Sequence, residues 1–284
     1  MKFIKIKILR ILFWFFNKER GSVINQWGSV ISPQELRYIR STALGERAAC
    51  FKELIRPIVL EIDKFKRYGS VADGGYVIPK NTVDNSKFLI SGGIETNNEF
   101  EIELANLGIV GIQVDNSIDT PPKDHKNLTF SRATLGGRDG VLIDDLLRSF
   151  DATSQGVLKL DIEGSEYETL SEVESFTRFT TIILELHNLH KIVDDKFWEV
   201  FKSILEKVSE SHSVVFLTPN NCCGFSIIGG VPIPNVLEVT WARKDLICGK
   251  QFTKIQSLHP EKMPTNYVNR AQLDISNIFP SESL

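Results

Sequence analysis

The 284 residues, 42% hydrophobic and 24% charged, are enough to bury a core without metals or disulfides, which excludes a stapled miniature scaffold and bulk disorder. Thirty-three basic and 36 acidic residues leave a net charge of -3, too little positive charge for a general nucleic-acid binder. The four cysteines, Cys50, Cys222, Cys223 and Cys248, show neither a disulfide framework nor a paired CxxC metal pattern, so reduced thiols in a cytosolic protein are expected.

The chain opens on a basic, apolar segment in which Lys2, Lys5, Lys7 and Arg10 are interleaved with Phe3, Ile4, Ile6, Ile8 and Leu9, before the run ILFWFF at 11–16. No small-residue cleavage site follows, so secretion is not expected. Residues 8–16 number nine, well short of the ~20 that cross a bilayer. Two readings stay open for residues 1–20: peripheral attachment through 1–18 to the inner face of a membrane, or packing on the chain's own domain. Residues 21–66 read as a helical N-terminal appendage, with Ser32-Pro33-Gln34-Glu35 as a helix start.

From Lys87 onward the pattern changes. Short β-rich runs at 88–90, 110–114, 128–130, 157–160 and 181–184 alternate with helical stretches at 99–107, 141–150 and from Glu166. This rhythm predicts an α/β fold with a parallel sheet covered on both faces. A helix at 197–208 is followed by strands at 213–217 and 236–241 without a helix between them, which predicts a terminal antiparallel hairpin. Residues 246–284 read as an irregular extension.

Open parallel sheets bind ligands beyond the carboxyl ends of their strands. The first such end is Ser91-Gly92-Gly93-Ile94-Glu95, where adjacent glycines let backbone amides approach a ligand. The second is Val114-Asp115-Asn116, where a carboxylate suits the two hydroxyls of a ribose. No glycine follows Gly93 until Gly108, so the dinucleotide pattern is missing and NAD is disfavoured. S-adenosylmethionine has no phosphate, and a glycine turn, a ribose acid and an apolar slot suit it. Two further ends, LKLDIEGSE at 158–166 and ILELHN at 183–188, bring Asp161, Glu163, Glu185 and His187 to the same edge.

The block VLKLDIEGSEYETL at 157–170 closely resembles the K-x-D-x-E-G-x-E motif of FkbM-like S-adenosylmethionine-dependent methyltransferases. Asp73-Gly-Gly-Tyr76, Gly93-Ile94 with Phe100-Glu101, the LELHN stretch at 184–188, and Asn220-Asn221 with LEVT at 237–240 support the match. The resemblance covers residues 67–245 and implies a class I methyltransferase fold, Rossmann-like, with a seven-stranded sheet. It also implies O-methylation of sugars in bacterial surface glycans or of natural products. The glycine turn departs from the G-x-G-x-G of many methyltransferases.

These readings assign the cofactor S-adenosylmethionine to Gly92, Gly93, Ile94, Asp115, Asn116 and Asp161. Catalysis falls to His187, Asp161 and Glu185, with His187 or Asp161 taking the hydroxyl proton. The acceptor, a carbohydrate or sugar nucleotide, falls to Asp73, Tyr76, Glu163, Asn188, Asn220 and Asn221. Asp161, Glu185 and His187 also offer oxygen and nitrogen ligands of the kind that suit Mg²⁺ or Mn²⁺. Acceptors that carry an amine or carboxylate, and a non-catalytic adenosyl-binding role in glycan assembly, remain as alternatives.

Overall fold

The computed structural model describes residues 42–247 except 59, 62 and 63, together with the backbone of three short strands, β1 (Trp14–Phe16), β2 (Val23–Asn25) and β3 (Val30–Ile31). These strands pair antiparallel in that order; β1 lies in the basic N-terminal segment, and β2 and β3 lie where a helical appendage was expected. Aromatic and β-branched residues fill them, and such side chains favour extended backbone over helix. The basic residues 2–10, the helix start at Ser32 and the extension from 248, with Cys248, lie outside the described residues. The appendage does hold one helix, α1 (Ala43–Leu54), capped by Thr42, whose side chain accepts from Gly45 N at 3.2 Å.

A hairpin of β4 (Phe65–Gly69) and β5 (Gly75–Pro79) leads through the short helix α2 (Lys80–Asp84) into the main sheet. There β6 (Phe88–Gly92), α3 (Glu99–Asn106), β7 (Val110–Val114), β8 (Leu128–Ser131), α4 (Ile143–Leu147), β9 (Gly156–Leu160), α5 (Glu166–Ser171) and β10 (Phe179–Leu186) follow the expected alternation. After α6 (Asp195–Ser211) come β11 (His212–Pro219), the small hairpin β12 (Phe225–Ile228) and β13 (Val231–Pro234), and finally β14 (Leu237–Arg243).

The sheet has seven strands in the order β11-β14-β10-β9-β6-β7-β8, and β14 alone runs against the others. This is the class I methyltransferase arrangement, with the late antiparallel strand inserted beside β10. β6, β9 and β10 are buried along their whole length. Such strands read as continuous apolar runs, which is why the sequence marks them plainly. Gly92 pairs with both Val114 and Leu160, so the segments after β6, β7 and β9 leave the sheet side by side. α6 buries Trp198, Phe201, Leu205 and Val208, a helical spacing that lays one face on the core, and Phe51 of α1 stacks on Phe201 at 5.8 Å.

His212, at the start of β11, is 1% exposed; its Nε2 donates to Phe179 O at 2.9 Å and its Nδ1 accepts from the Ser211 hydroxyl at 2.8 Å. That pattern needs a neutral ring. Burial above all pushes its pKa down to about 4, so the folded state resists a proton that the unfolded chain takes up at ~6.5. The sign follows: this contribution is complete above the unfolded value and is lost as pH falls from ~6.5 towards 4. At 1.36 kcal/mol per unit it amounts to about 3 kcal/mol. Denaturant melts of the wild type and His212→Gln should differ in pH slope across that window, and parallel slopes would remove His212 as the source.

Candidate active site

Two joined cavities lie beyond the carboxyl ends of the strands. A cleft of about 210 Å³ runs over Asp115, Asn116 and Leu135, and a chamber of about 460 Å³ opens toward Asp73, Tyr76 and Asn220. Gly93, Glu95, Asp161 and Glu163 line both, so the two spaces meet at those residues. Among the described residues, the three non-glycines with positive φ are Glu95 (39°), Glu163 (55°) and Asn188 (59°). All three belong to the strand ends around this junction, where strained backbone is held for function.

The turn after β6 is fixed from below. Gly93 has φ of 73°, and a Cβ there would lie 1.6 Å from Asp161 O. Lys159, buried in β9, donates Nζ to Gly92 O at 3.2 Å and to Gly93 O. A buried ammonium needs such partners, and this one pins the turn. Asp115 latches it from the side: its Oδ2 accepts from Ile94 N (2.8 Å) and Glu95 N (2.9 Å), its Oδ1 from Ser117 N and hydroxyl. Burial alone would raise its pKa, but these donors hold it below the usual carboxylate value.

His187 sits at the end of β10 with its Nδ1 2.9 Å from Glu166 Oε1 and 3.1 Å from Glu185 O. Glu166 is fully buried, and the same oxygen accepts from Ile162 N and Gly164 N. A carboxylate so placed accepts a hydrogen bond from Nδ1–H and leaves the Nε2 lone pair toward the chamber, 3.5 Å from Glu163 Oε2. Burial would lower the histidine's pKa, but the Glu166 bond and the charges of Glu166, Asp161 and Glu163 raise it overall. Asp161 accepts from Tyr76 OH at 3.2 Å. Beside it, burial first and then Asp161 and Glu238 push Glu185 far above the usual carboxylate range. Glu185 Oε1 accepts from Asn220 Nδ2 at 2.7 Å.

The sequence-derived residues thus converge with few exceptions. Asp73, Tyr76, Glu163, Glu185, His187 and Asn220 line the chamber, whereas Asn188 and Asn221 line neither cavity. Ile94 faces the chamber rather than the cleft, and Gly92 is buried under Leu135, Leu160 and Ile162. For a cation, the ligand atoms that lie within 4.8 Å of one another belong to Asp161, Glu163 and His187, so Glu163 replaces Glu185 in the expected trio. Cys222 and Cys223 stand at the chamber wall.

Residues 117–212 match the model of the methyltransferase FkbM domain, and the matched stretch holds Asp161, Glu166 and His187. The match spans 96 residues, about a third of the chain, and is to a methyltransferase domain. No curated protein matches the sequence significantly. Among solved structures, the fibrillarin pre-rRNA processing protein of Methanococcus jannaschii shares 9% identity over 66% of this chain and 89% of its own, with a TM-score of 0.35. Precorrin-6y C5,15-methyltransferase of Geobacter metallireducens GS-15 shares 12% over 66% and 98%, with a TM-score of 0.30.

An FkbM methyltransferase domain uses S-adenosylmethionine, and the cleft has the donor set for it. Gly93 leaves backbone open beside Asp161, Asp115 and Asn116 stand at the end of β7, and Val114, Ala133 and Leu135 supply an apolar wall for adenine. In this methyltransferase Asp115 both faces the cleft and locks the turn. Asp115→Ala should therefore weaken S-adenosylhomocysteine binding by roughly 1.5–3 kcal/mol, or about ten- to over a hundredfold, by calorimetry. Unchanged affinity would take Asp115 out of the cofactor site. Sequence reasoning missed two residues that build the site, Glu166 and Lys159. The signal for Lys159 was a lysine inside the apolar run 157–160, since a cation in a buried strand needs a dedicated partner.

Proposed function

We propose that this methyltransferase transfers a methyl group to a sugar hydroxyl of a bacterial surface polysaccharide or its precursor, on the cytoplasmic side of the membrane. The observation that carries the reading is the polar chamber joined to the cofactor cleft, with His187 Nε2 facing it. Its volume is in the roughly 300–1,000 Å³ range of small-molecule sites, and its walls offer carboxylates, Asn220 and Tyr76 to hydroxyl groups.

When bound, S-adenosylmethionine supplies an electrophilic methyl group on a sulfonium. His187 accepts the hydroxyl proton at Nε2 as the oxygen attacks, and Glu166 steadies the imidazolium through Nδ1. Glu185, held by Asn220, and the Asp161–Tyr76 pair orient acceptor hydroxyls beside the junction. A divalent ion on Asp161, Glu163 and His187 would bind the acceptor oxygen instead and lower the pKa of its hydroxyl. Turnover of glycans and free sugars, followed by S-adenosylhomocysteine release with and without a chelator, tests both points. Methylation of non-sugar alcohols alone would overturn the sugar assignment, and chelator-sensitive turnover restored by Mn²⁺ would establish the metal role.

A further inference from the structure

The charges of the chamber select among acceptors, an inference that rests on the methyltransferase reading and adds the chemical class of the substrate. Asp73, Glu95, Asp161, Glu163 and Glu185 line the chamber. Only Lys159 and His187 stand against them among its lining residues, and neither is open to an anion. Lys159 Nζ is taken up by the carbonyls of Gly92 and Gly93. His187 gives Nδ1 to Glu166 and turns Nε2 toward Glu163. Besides Glu185, four carboxylates face the space.

The carboxylates feel one another. Burial raises the pKa of both Asp73 and Glu95, and Asp161 raises each further; Glu163 adds to the effect at Glu95. Bringing in a phosphate or a carboxylate adds like charge at close range, while an ammonium group relieves it. Hydroxyls gain as well, because each donates a charge-assisted hydrogen bond to a carboxylate.

We infer that the acceptor enters as a polyol bearing a protonated amine, such as an amino sugar, and that any phosphate or carboxylate it carries stays outside the chamber. Asp73 is the specificity-determining residue easiest to test, since it lines the chamber and not the cofactor cleft.

The test uses the full chain loaded with S-adenosylhomocysteine and three probes built on one ring: glucosamine, N-acetylglucosamine and glucuronic acid. Ligand-observed NMR at pH 7 and low salt reads their affinities, because screening would blunt the contrast. Glucosamine should bind about tenfold or more tightly than glucuronic acid, with the neutral N-acetyl sugar between them. Asp73→Asn should narrow the amine-to-acid ratio by about threefold, close to the upper end expected for one exposed charge. Equal binding of amine and acid, or binding of neither, overturns the inference. Glucuronic acid binding that needs Mn²⁺ and vanishes with EDTA also overturns it, because a metal ion would then supply the positive charge. The methyltransferase reading is judged separately by S-adenosylhomocysteine binding. If that fails, the same probe comparison on the unloaded chain still decides the charge preference.

Discussion

Gly93→Ala should cost the protein about 3–5 kcal/mol and abolish measurable S-adenosylhomocysteine binding. Two penalties combine. The φ of 73° costs an alanine ~1–2 kcal/mol, and its methyl would lie 1.6 Å from Asp161 O, which must then move. Asp161 cannot yield freely, because its amide donates to Gly92 O at 3.1 Å and its carboxylate accepts from Tyr76. The turn is held as well by Lys159 and Asp115, so a shift at Gly93 disturbs both cavities at once. At ~2–4 °C per kcal/mol for a chain of this order, the melting temperature should fall by roughly 6–20 °C. The added ligand, which stabilises the wild type, should no longer raise it. A variant that melts within about 2 °C of the wild type and keeps its ligand affinity would show that the turn relaxes without consequence.

His187→Ala should reduce turnover by about 10²–10⁴-fold while S-adenosylhomocysteine affinity changes little, the usual span for loss of a general base. Glu166→Gln sharpens the test. The amide oxygen can still accept from Ile162 N and Gly164 N, so the loop stays supported, but the charge that raises the histidine's pKa is gone. In the wild type the rising limb of the pH–rate profile should lie above the ordinary histidine value of ~6.5. In Glu166→Gln it should move to lower pH, with a turnover loss of about ten- to a hundredfold, and in His187→Ala it should vanish. A limb that stays in place in Glu166→Gln would detach Glu166 from the proton transfer. Full activity in His187→Ala would pass the role to Asp161, for which Asp161→Asn is the matching variant.

Most of the sheet could be read from the sequence, for a physical reason. Strands such as 88–90 and 181–184 are largely apolar runs, and burial on two faces leaves little else they can be. The hairpin β4–β5 was harder to see, because β4 reads Phe-Lys-Arg-Tyr-Gly and exposes Lys66. β12 and β13 span four residues each, and prolines at 232 and 234 hide the second. At the site, alternation along 161–163 and 185–187 brought the right side chains to one edge. It did not reveal that Glu166 turns back to His187. That contact depends on the tight path of residues 162–165, where Glu163 adopts φ of 55°. The residue looked like an ordinary acid in the first turn of a helix, and only the fold shows its second partner.

The walls of the acceptor chamber come from five separated parts of the chain, around positions 73–76, 93–97, 159–163, 185–187 and 220–223. Only the third and fourth fall within the 96 positions, 117 through 212, that match the family model. The proposed base and its orienting carboxylate thus lie inside the matched stretch, whereas Asp73, Tyr76, Glu95 and Asn220 lie outside it. Changing the proposed acceptor preference therefore calls for exchanging the β4–β5 hairpin and the 220–223 turn as a pair, and leaving residues 117–212 untouched.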